Sequence, residues 1–142
     1  MGTITEAYLD APVFIASIVN TDTQGEKARA ILQAVTKNRI QGYTATLTFD
    51  EVVHIVKKLA GSEFSVPAGE YFLRIQNLKF IEVTHESIVL AQEVIKKYNL
   101  KPRDAIHVAC ALQRKILLIV SDDTDFDKVK ELKRKGIADM KL

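Results

Sequence analysis

The sequence predicts an α/β fold, a parallel sheet with helices on both faces, and three features of the chain carry that expectation. Strand-like and helix-like segments alternate along its length, and a parallel connection needs a crossover, which here has helical spacing. The run at residues 116–120 is aliphatic without interruption, as expected of a strand covered on both faces. The 142 residues suit one hydrophobic core and are too few for two comfortable ones, so a single domain over residues 1–142 is expected.

Residues 4–9 have the character of a short strand, and the apolar run 13–19 follows Pro12, which suits the first turn of a helix. Asp10 then lies at a strand-to-helix turn. Over residues 24–37, Ala28, Ile31, Leu32 and Val35 recur at helical spacing and give one apolar face. Gly42 breaks that pattern, and residues 43–48 are rich in aromatic and β-branched side chains, so a second strand is expected there. Val52, Val53, Val56 and Leu59 resume the helical period, which puts Glu51 in the first turn of a helix.

Gly, Ser and Pro at residues 61–67 predict a loop, followed by a shorter helix from Val66 or Pro67 to about Leu78. Residues 79–83 alternate as a strand does, and Ile88, Ala91, Ile95 and Tyr98 predict a helix closed by Asn99. Pro102 opens a further helix with Ala105, Val108, Ala109 and Leu112 on one face and Ile106 and Cys110 widening it, so this helix should be largely buried. After the strand at 116–120, a polar turn at 121–125 should lead to a basic helix near 126–135 and a short strand at 137–140.

With 47% apolar and 27% charged residues the chain has enough hydrophobicity to fold, which excludes a disordered class. Twenty Lys and Arg against 18 Asp and Glu leave a net charge of +2, well short of a protein that coats nucleic acid by charge alone. Cys110 is the single cysteine and sits among apolar neighbours, so a buried thiol in a reducing compartment is expected. No run reaches the roughly 18 apolar residues of a membrane span, and residues 1–10 lack the marks of a signal peptide. A cytoplasmic protein without membrane contact is the expectation.

The acids carry the functional signal. Asp10 ends the first strand, Glu51 follows the second, and Asp123 and Asp125 follow the aliphatic strand, so all should reach the carboxyl edge of the sheet, where such folds bind ligands. Asp104, at a helix start, is placed to join them. Each acid alone has an ordinary explanation as a helix cap or a complement to a helix dipole. Together they interact differently: carboxylates about 4 Å apart repel by about 4 kcal/mol per pair at an effective dielectric of about 20. A bound cation relieves that repulsion, and a set made of oxygen ligands favours Mg²⁺ or Mn²⁺ over zinc. Such ions act on phosphate esters with water as the nucleophile.

Other signals are weaker. His54, His85 and His107 lack partners at metal-ligand spacing and are assigned structural or surface roles, with His107 one turn from Asp104 and so able to border the site. Lys57, Lys58, Lys101 and Arg103 near the acidic edge are candidate phosphate contacts, as are Lys128, Lys130, Lys133, Arg134 and Lys135, for which a solvated helix face is an equal reading. Glycine-rich phosphate loops, the Gly-x-Ser-x-Gly turn and paired Cys motifs are absent, which removes the commonest nucleotide-binding, triad-hydrolase and zinc assignments.

Four segments in order, Tyr8-Leu9-Asp10-Ala11-Pro12-Val13-Phe14-Ile15, Thr48-Phe49-Asp50-Glu51-Val52-Val53, Pro102-Arg103-Asp104-Ala105-Ile106-His107 and Val120-Ser121-Asp122-Asp123-Thr124-Asp125-Phe126, together resemble a PIN domain, particularly the VapC-like ribonucleases. The resemblance spans nearly the whole chain. It implies a three-layer α/β/α sandwich with a parallel sheet of about five strands, Mg²⁺- or Mn²⁺-dependent endoribonuclease activity on RNA, a cognate antitoxin protein and pairing into a homodimer. By position it implies Asp10, Glu51, Asp104 and Asp123 as catalytic metal ligands. Asp125 is implied as an acid acting through water, Ser121 as the supporting hydroxyl, and Arg103, beside Asp104, is the better substrate contact. Ala11-Pro12 departs from the pattern, which has a small polar residue and a hydrogen-bonding residue there, and this motivates the alternative of a catalytically silent module that binds RNA or protein.

Overall fold

The computed structural model describes residues 4–142. Strand β1 (Thr5–Leu9) is followed by helices α1 (Ala11–Val19) and α2 (Thr23–Thr36), then β2 (Ile40–Ala45), α3 (Leu47–Ala60) and α4 (Ser62–Leu73). Next come β3 (Lys79–Ile81), α5 (His85–Tyr98), α6 (Pro102–Gln113), β4 (Leu118–Val120) and β5 (Lys133–Lys135), with 3₁₀ turns at Thr124–Lys128 and Ile137–Asp139. The strands form one five-stranded sheet in the order β3-β2-β1-β4-β5, and every pairing is parallel. This is the α/β/α architecture expected from the sequence.

Two apolar layers flank the sheet. On one face α1 to α4 pack Phe14, Ile31, Val35, Val56 and Phe72 against it; on the other α5 and α6 pack Ala91, Val94, Ala105, Val108 and Ala109. The approach of α2 to β2 is close enough to require Gly42, since a Cβ there would lie 2.7 Å from a Val35 methyl carbon. From β1 the chain winds outward through β2 to β3, then returns to the other side of β1 for β4 and β5. The order reverses between β1 and β4, where a crevice opens at the carboxyl ends of the strands.

Several local expectations are corrected. The strand expected at 43–48 begins earlier and ends at Ala45, because Leu47 and Thr48 already belong to α3 and Thr48 is buried with its hydroxyl 2.7 Å from that of Thr44. Glu51 is therefore in the second turn of α3, not its first. The loop expected at 61–67 reduces to Gly61, whose φ of 90° ends α3 and allows α4 to start at Ser62, five residues before Pro67. The aliphatic run 116–120 is a strand only from Leu118, since Lys115, with φ 57°, terminates α6 and Leu117 is exposed.

The basic helix expected near 126–135 is absent: Phe126 sits in a 3₁₀ turn and Lys133-Arg134-Lys135 is β5, paired in register with Leu118-Ile119-Val120. Residues 137–140 hold a 3₁₀ turn in place of the expected strand.

Candidate metal centre

The site is built where β1 and β4 adjoin. Asp10 leaves β1 with its backbone N–H bonded to the Val120 carbonyl at 3.1 Å and caps α1, one carboxylate oxygen accepting from the Ala11 N–H at 2.9 Å. Its other oxygen accepts from the Ser121 hydroxyl at 2.7 Å, and that hydroxyl oxygen accepts from the Asp123 N–H at 3.1 Å. Ser121 is fully buried, so one hydroxyl sets the spacing between Asp10 and the turn that carries Asp123. Pro12 fits the helix start, where no N–H is needed, and the polar neighbour missing after Asp10 is replaced by the Ala11 amide and Ser121.

The acids form two groups, and sequence reasoning missed a member of the first. Asp10, Glu51 and His107 each offer a ligand atom within 4.8 Å of the others, and Asp104, Asp123 and Asp125 do the same. His107 Nε2 lies 2.5 Å from Glu51 Oε1 and 3.7 Å from Asp10 Oδ1. His54 and His85 are exposed, as assigned, whereas His107 is fully buried, so a surface role for it is excluded. Its spacing from Asp104, one turn along α6, was the available signal.

In the second group Asp104 stands in the first turn of α6, and Asp123 caps the 3₁₀ turn by accepting from the Asp125 N–H at 2.9 Å. The capping roles of Asp10 and Asp123 thus coexist with convergence.

The electrostatics follow from this crowding. Burial pushes the Asp104 carboxyl up to about 6, with Asp123 and Asp10 adding to it. Burial also raises Asp10, opposed by His107 and the Ser121 hydroxyl. For His107 burial pushes downward, but the Glu51 hydrogen bond and the charges of Asp10, Glu51 and Asp104 outweigh it and hold the ring above its usual range. Asp10 and Asp104, which resist ionising chiefly because they are buried and, for Asp104, also because Asp123 and Asp10 are near, are a fitting bed for a small divalent cation, and the oxygen-only donors of the second group suit Mg²⁺ or Mn²⁺.

A cleft of about 530 Å³ opens over these acids, lined by Glu51, Lys101, Pro102, Arg103, Asp104 and Asp123. Arg103 lines it while making an exposed ion pair with Asp50 at 3.8 Å. Lys101 shares this lining, whereas the remaining basic candidates do not line the cleft. Lys57 and Lys58 occupy the last turn of α3, Lys128 pairs with Asp125 at 3.8 Å, and Arg134 turns inward. Arg134 donates to both oxygens of Asp127 and to the Ser121 carbonyl at 3.1 Å, so it braces the β4 end of the site.

This α/β/α sheet with acids gathered at its switch point has a match among known proteins: the PIN domain family model covers residues 7–132, and the chain belongs to that family. Ribonuclease VapC6 of Methanocaldococcus jannaschii is 37% identical over 57 residues, which span 40% of this chain and 37% of that protein. Among solved structures, VapC20 of Mycobacterium tuberculosis, described as a Sarcin-Ricin loop cleaving toxin, superposes with a TM-score of 0.73 at 16% identity, covering 87% of this chain and 95% of that one. VapBC2 from Rickettsia felis, bound to a DNA fragment from its promoter, gives 0.71 at 14% identity over 93% and 98% of the two chains. At these identities the structures establish a common fold. Among the described residues, no helix is long and apolar enough to cross a membrane.

Proposed function

We propose that this PIN-domain chain is a divalent-metal-dependent endoribonuclease of the VapC type. The observation that carries the reading is the gathering of Asp10, Glu51, Asp104, Asp123 and Asp125 at one sheet edge, with Asp104 raised to about 6 by burial and by its acidic neighbours. Asp10, Glu51, Asp104 and Asp123 would hold Mg²⁺ or Mn²⁺, with Asp125 contributing through water. When bound, the ion supplies activation of water and neutralisation of charge on the phosphodiester. The chain's own residues do the rest. Ser121 and the Ala11 amide fix the two oxygens of Asp10, and Asp123 is held by its own capping bond. Lys101 and Arg103 at the cleft margin would face the phosphates of an RNA strand and draw it over the acids.

The reading includes a protein partner, an antitoxin. Ile18, Val19, Val56, Leu59, Ala60 and Phe64 line a hollow of about 450 Å³ on the outer side of α1, α3 and α4, and Leu59, Phe64 and Val66 are each more than half exposed. An apolar surface of that kind is suited to cover by another chain, and pairing into a homodimer is part of the same proposal.

A defined RNA incubated with Mn²⁺ or Mg²⁺ should be cut, and EDTA should prevent it. Asp10→Asn and Asp104→Asn proteins, checked for folding by circular dichroism, should lose cleavage; activity retained in both would end the assignment. The silent-module alternative rests on Ala11-Pro12, and it gains no support from geometry that holds Asp10 in place without a polar residue there.

A further inference from the structure

Glu51 comes from α3, on the far side of β1 from the β4 turn, and the bond holding its carboxylate comes from α6, across the sheet edge. The donor, His107, has no freedom of its own. Its Nε2 is 2.5 Å from Glu51 Oε1, and its Nδ1 is 2.5 Å from the Tyr8 hydroxyl. Tyr8 is fully buried on β1, and its phenol oxygen also accepts the Ala45 backbone N–H at 3.1 Å. A continuous chain of bonds therefore runs from the end of β2, through β1 and α6, to the acid on α3.

For the neutral ring the hydrogen count fixes the direction of this chain. A carboxylate only accepts, so Nε2–H goes to Glu51; Nδ1 of the neutral ring is then an acceptor, and the Tyr8 O–H, whose oxygen also receives the Ala45 N–H, donates to it. In the charged ring Nε2–H still points to Glu51 and Nδ1–H to Tyr8. Glu51 receives a donor in both cases, so the contact does not depend on the ring's charge.

We infer that Tyr8 and His107 are positioning residues, a relay that ties one oxygen of Glu51 and thereby orients the carboxylate toward the metal site. His107 falls within ligand distance of Asp10 and Glu51, but both its ring nitrogens already have partners, which assigns it to support and not to ligation. The inference rests on the metal-dependent reading proposed above and adds residues that the ligand pattern does not include.

The test measures Mn²⁺ affinity by calorimetry on the intact chain, with the thermal midpoint of each variant recorded beside it. His107→Leu, which keeps bulk and removes the donor, should weaken Mn²⁺ binding about 10- to 100-fold, the usual effect of losing a group that orients a ligand. His107→Gln, whose amide N–H can still reach Glu51, should recover most of that loss even where its thermal midpoint is no higher than that of the Leu variant. Tyr8→Phe should give a smaller loss, and Tyr8→Phe combined with His107→Leu should bind no worse than His107→Leu alone, because the two act in series.

Unchanged affinity in both His107→Leu and Tyr8→Phe overturns the relay and leaves the nuclease reading standing. Abolished binding in His107→Leu that Gln fails to restore also overturns it, in favour of direct ligation by the ring. A native chain that takes up no Mn²⁺ defeats both readings together. Should the Leu variant not fold, the comparison of Tyr8→Phe and His107→Gln with the native chain decides the matter by the same criteria.

Discussion

The two halves of the acidic site are built differently. Around Asp10, both oxygens of its carboxylate and both ring nitrogens of His107 have partners. Asp10 is 5% exposed with both oxygens hydrogen-bonded, and Glu51 is tied to a histidine that is itself tied to a buried tyrosine. Around Asp104 the groups are half-buried, held by first-turn or capping positions, and open to the cleft. The first half is held between cores on both faces of the sheet, with half-buried Glu51 reaching the cleft, and the second half faces the cleft directly. Firm placement on one side and access on the other is what the proposed function, binding an ion and admitting an RNA strand, would require.

The proposed ligands give the largest expected effects. Asp10→Asn should reduce RNA cleavage at least about a hundredfold, since an ion at such a site contributes several kcal/mol of charge stabilisation. Asp125→Asn, at the acid proposed to act through water, should reduce it only a few-fold; equal losses measured under single-turnover conditions would overturn that indirect role. Ser121→Ala probes the buried half through its support. It removes the donor to Asp10 and the acceptor for the Asp123 N–H, and Mn²⁺ affinity should fall about tenfold in calorimetry.

The open half has its own signature in pH. Asp104 has a folded-state value of about 6 against an ordinary 3.8, so the folded metal-free protein holds this proton more tightly than the unfolded chain does. Its contribution to stability is therefore fully present below the ordinary value, declines as pH rises, and is lost above about 6. With EDTA present, the thermal midpoint of the native chain should fall relative to that of Asp104→Asn as pH is raised from about 5 to about 7. Parallel curves for the two proteins would contradict this. The smallest effect belongs to Arg103, which is about two-thirds exposed. Arg103→Gln should raise KM for RNA by a few-fold, with little change in kcat and a shallower salt dependence.

The elements that were legible in the sequence are those long enough to show a period or marked by a residue with a fixed backbone preference. α2, α5 and α6 announce themselves by apolar spacing, and Asn99 closes α5 in the left-handed conformation its position predicts. The failures share a cause. β5 has three residues, too few for an alternation to register, and a strand reading Lys-Arg-Lys resembles a solvated helix until its partner strand is known. Likewise α4 begins five residues before Pro67, because a proline that early in a helix forfeits one hydrogen bond that packing of Ala68 and Phe72 can offset.

The candidate site was legible in its acids, because each follows a strand or opens a helix, positions that sequence spacing reveals. His107 was not. Its partners Tyr8 and Glu51 lie 99 and 56 residues away, and a histidine among Ala105, Val108 and Ala109 has the sequence context of a core residue, which it also is. The role of Arg134 was hidden for the same reason, since a run of cations gives no indication that one of them turns back to a backbone carbonyl thirteen residues earlier.

The sheet's outer margin at β5 consists of Lys133, Arg134 and Lys135. A foreign strand laid along that margin would meet three cations and find a register only three residues long, so sheet growth between copies is discouraged there. The opposite margin, β3, is also only three residues long and begins with Lys79, so neither edge of the sheet offers a long template for a further strand.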